Sequence, residues 1–189
     1  IDTRILYHGY GVHGRGQIPF PAFSRGYAFF AGFLAYPGGI LDYISAFVTH
    51  IFFHKITGAL IITLSIAALY RLTKAVFSYG SGDFSLLYFI PTVFVLIGFN
   101  QYLNIISVVF GMSMTLGSVW TYSRFENRHY SIRIPIFIIV FSLLYYTTGV
   151  FSLVFALLSC LRELLKNKSL GIGFGLITAT AALWYAFEE

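Results

Sequence analysis

The side chains of this chain best suited to chemistry cluster just after its first 40 residues. They are an acid at the start of an expected helix, two histidines one turn apart and a lysine beside them. Asp42 is the only acid between Asp2 and Asp83. At the mouth of a helical bundle a carboxylate can act as a general base or anchor a substrate. It can equally be held by the positive end of its own helix, an effect of about 0.3–1 kcal/mol. His50 and His54 are four residues apart, so they share one helix face and could take one metal ion. The spacing dictates no third ligand, and no glutamate follows as in a zinc-protease motif. The expectation is therefore no metal and no cofactor. Lys55 could meet a lipid or substrate phosphate, or carry its charge to the interface along its aliphatic stem.

Two further groups could complete a substrate-binding surface. Asn100 and Gln101, with Asn104 beyond them, form a tight polar turn, and Tyr145 and Tyr146 precede Thr147, Thr148 and Gly149 in another. Helix capping and the aromatic residues common at membrane interfaces are the plainer accounts of both. Arg162 and Glu163 read as a helix-end pair. The lone Cys160 cannot form an intramolecular disulfide and reads as a packing residue. There is no Ser-His-Asp order, Walker loop, CxxC pair or dinucleotide-binding fingerprint, and the early glycines make no phosphate loop because no expected strand precedes them.

The elements that position these residues belong in a bilayer. The 189-residue chain is 58% hydrophobic and 10% charged, against about 45–50% and about 25% in soluble domains. That composition excludes an ordinary soluble enzyme and a disordered tail. The net charge of +5 is spread as punctuation between apolar runs, so nucleic acid is not an expected partner.

The expected fold is all-α: a polytopic transmembrane helical bundle with an aromatic, glycine-rich outer loop and an interfacial amphipathic helix. Residues 1–39 read as the extracytoplasmic loop, turn-rich rather than helical, with eight of the 18 glycines. Residues 40–54 read as the interfacial helix. Membrane segments are expected over about 56–77, 84–99, 102–123, 134–147, 150–165 and 169–187, the second interrupted by Pro91. Gly171, Gly173 and Gly175 offer a small-residue face for a packing partner. Neither terminus looks like a natural end, and the sequence reads as a fragment of a longer protein.

Eight of the 12 basic residues fall in three connections, 71–83, 124–133 and 162–168. By the positive-inside rule these face the cytoplasm, and residues 1–54 lie on the extracytoplasmic side of the inner (plasma) membrane. Arg133 and Arg162 can share a side only if 134–161 is a hairpin turning at Tyr145–Gly149. Its arms would then be short for an apolar core about 30 Å thick, so arms that tilt little in a locally thin bilayer, or a re-entrant pair, are expected.

Two stretches carry a resemblance. The first is Tyr36-Pro37-Gly38-Gly39-Ile40-Leu41-Asp42-Tyr43 and its continuation to Thr49, then Gly58-Ala59-Leu60. The second is Tyr145-Tyr146-Thr147-Thr148-Gly149, then Leu153 to Leu158 and Arg162-Glu163-Leu164. Over roughly residues 33–166 the chain resembles an uncharacterised family of polytopic inner-membrane proteins of Bacteroidota. It is more loosely similar to GT-C-type glycosyltransferases, which the similarity implies would use a polyprenyl-linked sugar, with Asp42 as the acid of the first outer loop.

Three functions are weighed. One is a non-catalytic envelope-assembly component of the membrane. The second is a GT-C-like transferase, in which Asp42 is the base and a polyprenyl phosphate the substrate. The third is a transporter or flippase component, which calls for ionisable residues deep inside spans. Residues 56–70, 84–98, 103–121, 134–148 and 150–161 contain none. Membrane lipids are partners in all three.

Overall fold

A computed structural model of the chain describes residues 10–13, 16–19, 23–77, 87–100, 106–125 and 130–166, with single helical positions at 173, 175, 177, 178 and 181. The described residues form helices with their connecting turns and one short hairpin, in which strands β1 (Tyr10–His13) and β2 (Gly16–Pro19) pair antiparallel with Val12 opposite Gln17. The helices are α1 (Tyr27–Leu34), α2 (Gly39–Ile51), α3 (Lys55–Phe77), α4 (Ile90–Asn100), α5 (Ile106–Ser123), α6 (Tyr130–Thr148) and α7 (Phe151–Lys166).

The first 39 residues hold more order than a turn-rich loop. The run Tyr-Ala-Phe-Phe-Ala-Gly-Phe-Leu forms α1, where a loop was expected. The reason is tertiary: Phe29, Phe30 and Phe33 of α1 all place their rings against Tyr43 of α2. Burial of that aromatic surface outweighs the helix-weakening Gly32.

α2 stops at Ile51, three residues before the expected end. Phe52 turns inward to full burial and residues 52–54 close a tight turn, with the His54 amide donating to the Ile51 carbonyl. α3 then runs for 23 residues, about 34 Å at 1.5 Å per residue. Pro91 does not interrupt a helix. A 3-10 turn over Leu87–Phe89 precedes it, and Pro91 is the second residue of α4, where a missing N–H costs nothing.

α6 and α7 form the hairpin, turning at Gly149 and Val150, but α6 begins at Tyr130 and its 19 residues exceed the expected arm over 134–147. The core lies where α3, α5, α6 and α7 meet, around Leu69, Val109, Val119, Phe137 and Phe155. Four helix hydroxyls are satisfied locally: Ser45, Thr49, Ser65 and Thr73 each donate to the carbonyl four residues back. This lets polar residues sit on apolar faces without a partner helix.

Two described helices, Lys55–Phe77 and Ser131–Thr148, are long and apolar enough to cross a membrane. The span expected over 169–187 lies almost wholly outside the described residues, as do positions 78–83 of the 71–83 connection and the starts of the spans at 84 and 102.

Candidate functional site

The two sequence stretches singled out above meet in space. Gly38 caps the start of α2 in the left-handed region, with φ of 86°. Its amide donates to the Tyr146 carbonyl at 3.0 Å. Gly149, also left-handed with φ of 60°, packs against it so closely that a Cβ on Gly38 would lie 3.2 Å from the Gly149 Cα. The Tyr146 hydroxyl reaches across and donates to the Leu34 carbonyl at 3.2 Å. The Pro37-Gly38-Gly39 turn is thus clasped backbone to backbone onto the α6–α7 turn. Both positions favour glycine because of their φ, and the contact leaves little room for a side chain.

Asp42 stands in the first turn of α2, half-buried. The Tyr36 hydroxyl donates to its Oδ2 at 3.2 Å. Tyr36 sits six residues earlier, before the glycine turn, and only that turn brings it back over the carboxylate. Partial burial, then the Asp42 charge and the hydrogen bond, push the Tyr36 phenol well above its ordinary range. Tyr36 therefore remains a donor at every physiological pH.

A group whose pKa is raised on folding contributes stability below its unfolded value, and that contribution fades as pH rises beyond it. The thermal-stability difference between wild type and Tyr36→Phe should be constant below pH about 10 and shrink above it. A difference that grows with alkaline pH would contradict this arrangement.

The aromatics of the N-terminal segment stack on one another and on α2. Phe23 packs against Phe29, Tyr43 and Phe47 with centroids 5.3–5.7 Å apart, and His50 lies 6.3 Å from the same ring. Because α2 ends at Ile51, His54 belongs to the following turn, and the shared helix face expected of His50 and His54 does not form. The His54 ring packs on Phe53, and its carbonyl accepts from Thr57 and the Gly58 amide. Lys55 opens α3, exposed. Among the described residues no three His, Cys, Asp or Glu side chains gather as a metal site.

Asn100 ends α4, whose main packing is on α3 and the 3-10 turn. Gln101 lies outside the described residues, as does Gly171. Gly173 is exposed, whereas Gly175 faces α7 of the same chain, where a Cβ would lie 3.6 Å from the Cys160 Sγ. Tyr145 is half-buried, and its carbonyl accepts from the Gly149 amide.

Below α2 a cavity of about 510 Å³ opens between four helices. Ile40 and Ile44 of α2, Leu72 of α3, Trp120 of α5, and Leu143 and Leu144 of α6 shape it. Among the described residues its lining contains no ionisable side chain.

One pair was not legible from sequence spacing. Arg133, early in α6, and Glu163, late in α7, form an ion pair with side chains only 8% and 4% exposed. Glu163 thus pairs across the hairpin rather than with Arg162, whose guanidinium donates to the Val76 carbonyl at 3.3 Å. The ends of α3, α6 and α7 are tied together there. The grouping of basic residues hinted at a shared end, but nothing in the sequence marked Glu163 as Arg133's partner.

The model of a family of unknown function (DUF6057) matches residues 17–187. No curated protein and no solved structure matches the chain.

Proposed function

We propose, from the premise that the chain belongs to the family of unknown function DUF6057, that it is a polytopic protein of the inner (plasma) membrane. In this reading it serves envelope assembly as a non-catalytic component, in contact with membrane lipids. The observation that carries the membrane reading is the bare apolar surface. In the two long apolar helices only 28% and 22% of the most apolar windows are buried within the protein. A core helix of a soluble protein would be covered, so these faces require lipid or partner helices. Ile56, Leu64, Phe94, Ile139 and Leu157, on four different helices, are all 60% or more exposed and extend the same surface. With Arg71, Lys74, Arg124, Arg133 and Arg162 near the ends of α3, α5, α6 and α7, the positive-inside rule assigns those ends to the cytoplasm. Residues 1–54 then lie outside.

The non-catalytic reading rests on how the α2 start is used. Asp42 takes a hydrogen bond from Tyr36, the glycine clasp closes the adjoining space, and the nearby rings pack on one another. A second reading, the GT-C-like transferase with a polyprenyl-linked sugar, is favoured by one observation: the helix bearing Asp42 also roofs the apolar cavity. An Asp42→Asn variant separates the two. It should accumulate normally and support full cellular function; a normally folded variant without function would favour the transferase.

Orientation has its own check, in a Cys160→Ser background. A cysteine at Ser24 should react with a membrane-impermeant maleimide on intact spheroplasts, and one at Arg71 only after lysis. The reverse pattern would overturn the assigned sidedness.

A further inference from the structure

We infer that the cavity beneath α2 is a seat for one acyl chain of an anionic phospholipid, whose phosphate meets Arg124. This rests on the membrane reading above. The lining asks for hydrocarbon. Of its three hydroxyl side chains, Thr121 donates to the Gly117 carbonyl and Thr147 to the Leu143 carbonyl. Those hydroxyls are already engaged by their own helices and offer a sugar little to bind. Leu143 and Met114, at 64% and 45% exposure, line the cavity while also facing outward. The seat is therefore continuous with the surface that meets lipid, and a chain can enter sideways. Its volume of about 510 Å³ lies within the roughly 300–1,000 Å³ of small-molecule sites.

Charge complementarity selects the headgroup. Arg124 follows the end of α5, and its guanidinium carbon lies 4.0 Å from the centroid of the Trp120 ring, one of the lining side chains. Stacking holds the guanidinium by its face, and its N–H edges are the part that binds phosphate. An exposed arginine just past an apolar helix sits at phosphate depth in a bilayer. One end of the seat thus carries a fixed cation and the rest is apolar, matching an anionic headgroup above a hydrocarbon tail.

The test uses the full chain reconstituted in vesicles of phosphatidylglycerol and phosphatidylcholine, re-extracted in mild detergent and examined by native mass spectrometry. Wild type should retain phosphatidylglycerol roughly fivefold above its share of the vesicle. Arg124→Gln should still retain lipid but lose that preference. Gly117→Phe should lose the bound lipid. Gly117 lines the cavity, and among the described residues beyond its own helix backbone a Cβ there meets only the Leu72 Cδ2 at 3.9 Å. Should Gly117→Phe lose helicity, Ile44→Phe narrows the same cavity from α2 and should also lose lipid.

Wild type without retained lipid, undiminished lipid in a folded cavity variant, or an unchanged headgroup preference in Arg124→Gln would each overturn the inference. So would recovery of a prenyl lipid in place of phospholipid from native membranes. An alkaline carbonate wash of cell membranes separates the two levels. A protein released by it fails the membrane reading, whereas one that stays but binds no lipid fails only this inference.

Discussion

Replacing Glu163 by alanine should destabilise the helical bundle by about 3–5 kcal/mol, because it leaves the Arg133 guanidinium buried without its countercharge. Both side chains are almost wholly enclosed between α6 and α7. Among the described residues, neither Arg133 Nε nor Glu163 Oε2 has a hydrogen-bond partner. The pair therefore rests mainly on its own attraction, with little surrounding network to take over when one member is lost. The double variant Arg133→Met/Glu163→Leu removes both charges and fills similar space. It should recover most of the loss or exceed wild type, since apolar replacements of buried pairs are often neutral or stabilising. Thermal unfolding in detergent, with the two single variants and the double, measures this directly. A Glu163→Ala protein within about 1 kcal/mol of wild type would place the pair in the range of solvated surface contacts instead.

Gly39→Ala should be comparably damaging for a different reason. A Cβ at Gly39 would lie 1.7 Å from the Phe33 carbonyl oxygen and 2.7 Å from its carbon. Those are backbone atoms of α1, so no rotamer change relieves the overlap. α1 would have to leave α2, taking Phe29, Phe30 and Phe33 away from Tyr43. A loss of about 3 kcal/mol or more is expected, in the range reserved for named structural defects. Gly32→Ala supplies the control within α1. Among the described residues no atom beyond its own helix backbone lies within 4 Å of its Cβ position, and the helix gains propensity, so the change should be neutral or stabilising by up to about 1 kcal/mol. If both variants unfold alike, the close approach of α1 and α2 is not what stabilises this end of the protein.

These two sites also show where sequence reasoning reached and where it ended. Pro37-Gly38-Gly39 was legible as the punctuation before a helix, and Tyr145–Gly149 as the place where a hairpin must turn. Each is a local signal. That Gly38 and Gly149 touch is a contact between segments 111 residues apart in the chain, and no period or motif encodes it. Asp42 was visible as a solitary acid, yet the donor above it, Tyr36, depends on the path of the glycine turn. His50 and His54 had helical spacing, but spacing implies a shared face only while the helix continues. Phe52 ends that continuity by turning into the core.

What the sequence by itself determined is an apolar, charge-poor composition, with two described helices long and apolar enough to cross a membrane. Scarce charge, sorted between long apolar runs, is the pattern that the cost of ions and unpaired backbone in hydrocarbon selects, and that cost is local to each segment. What only the tertiary structure decided is which segments meet. It closed the glycine clasp, drew Tyr36 to Asp42, buried Arg133 against Glu163 and opened the apolar cavity under α2. Those arrangements depend on close packing between helices distant in sequence, where fit between facing surfaces selects the partner.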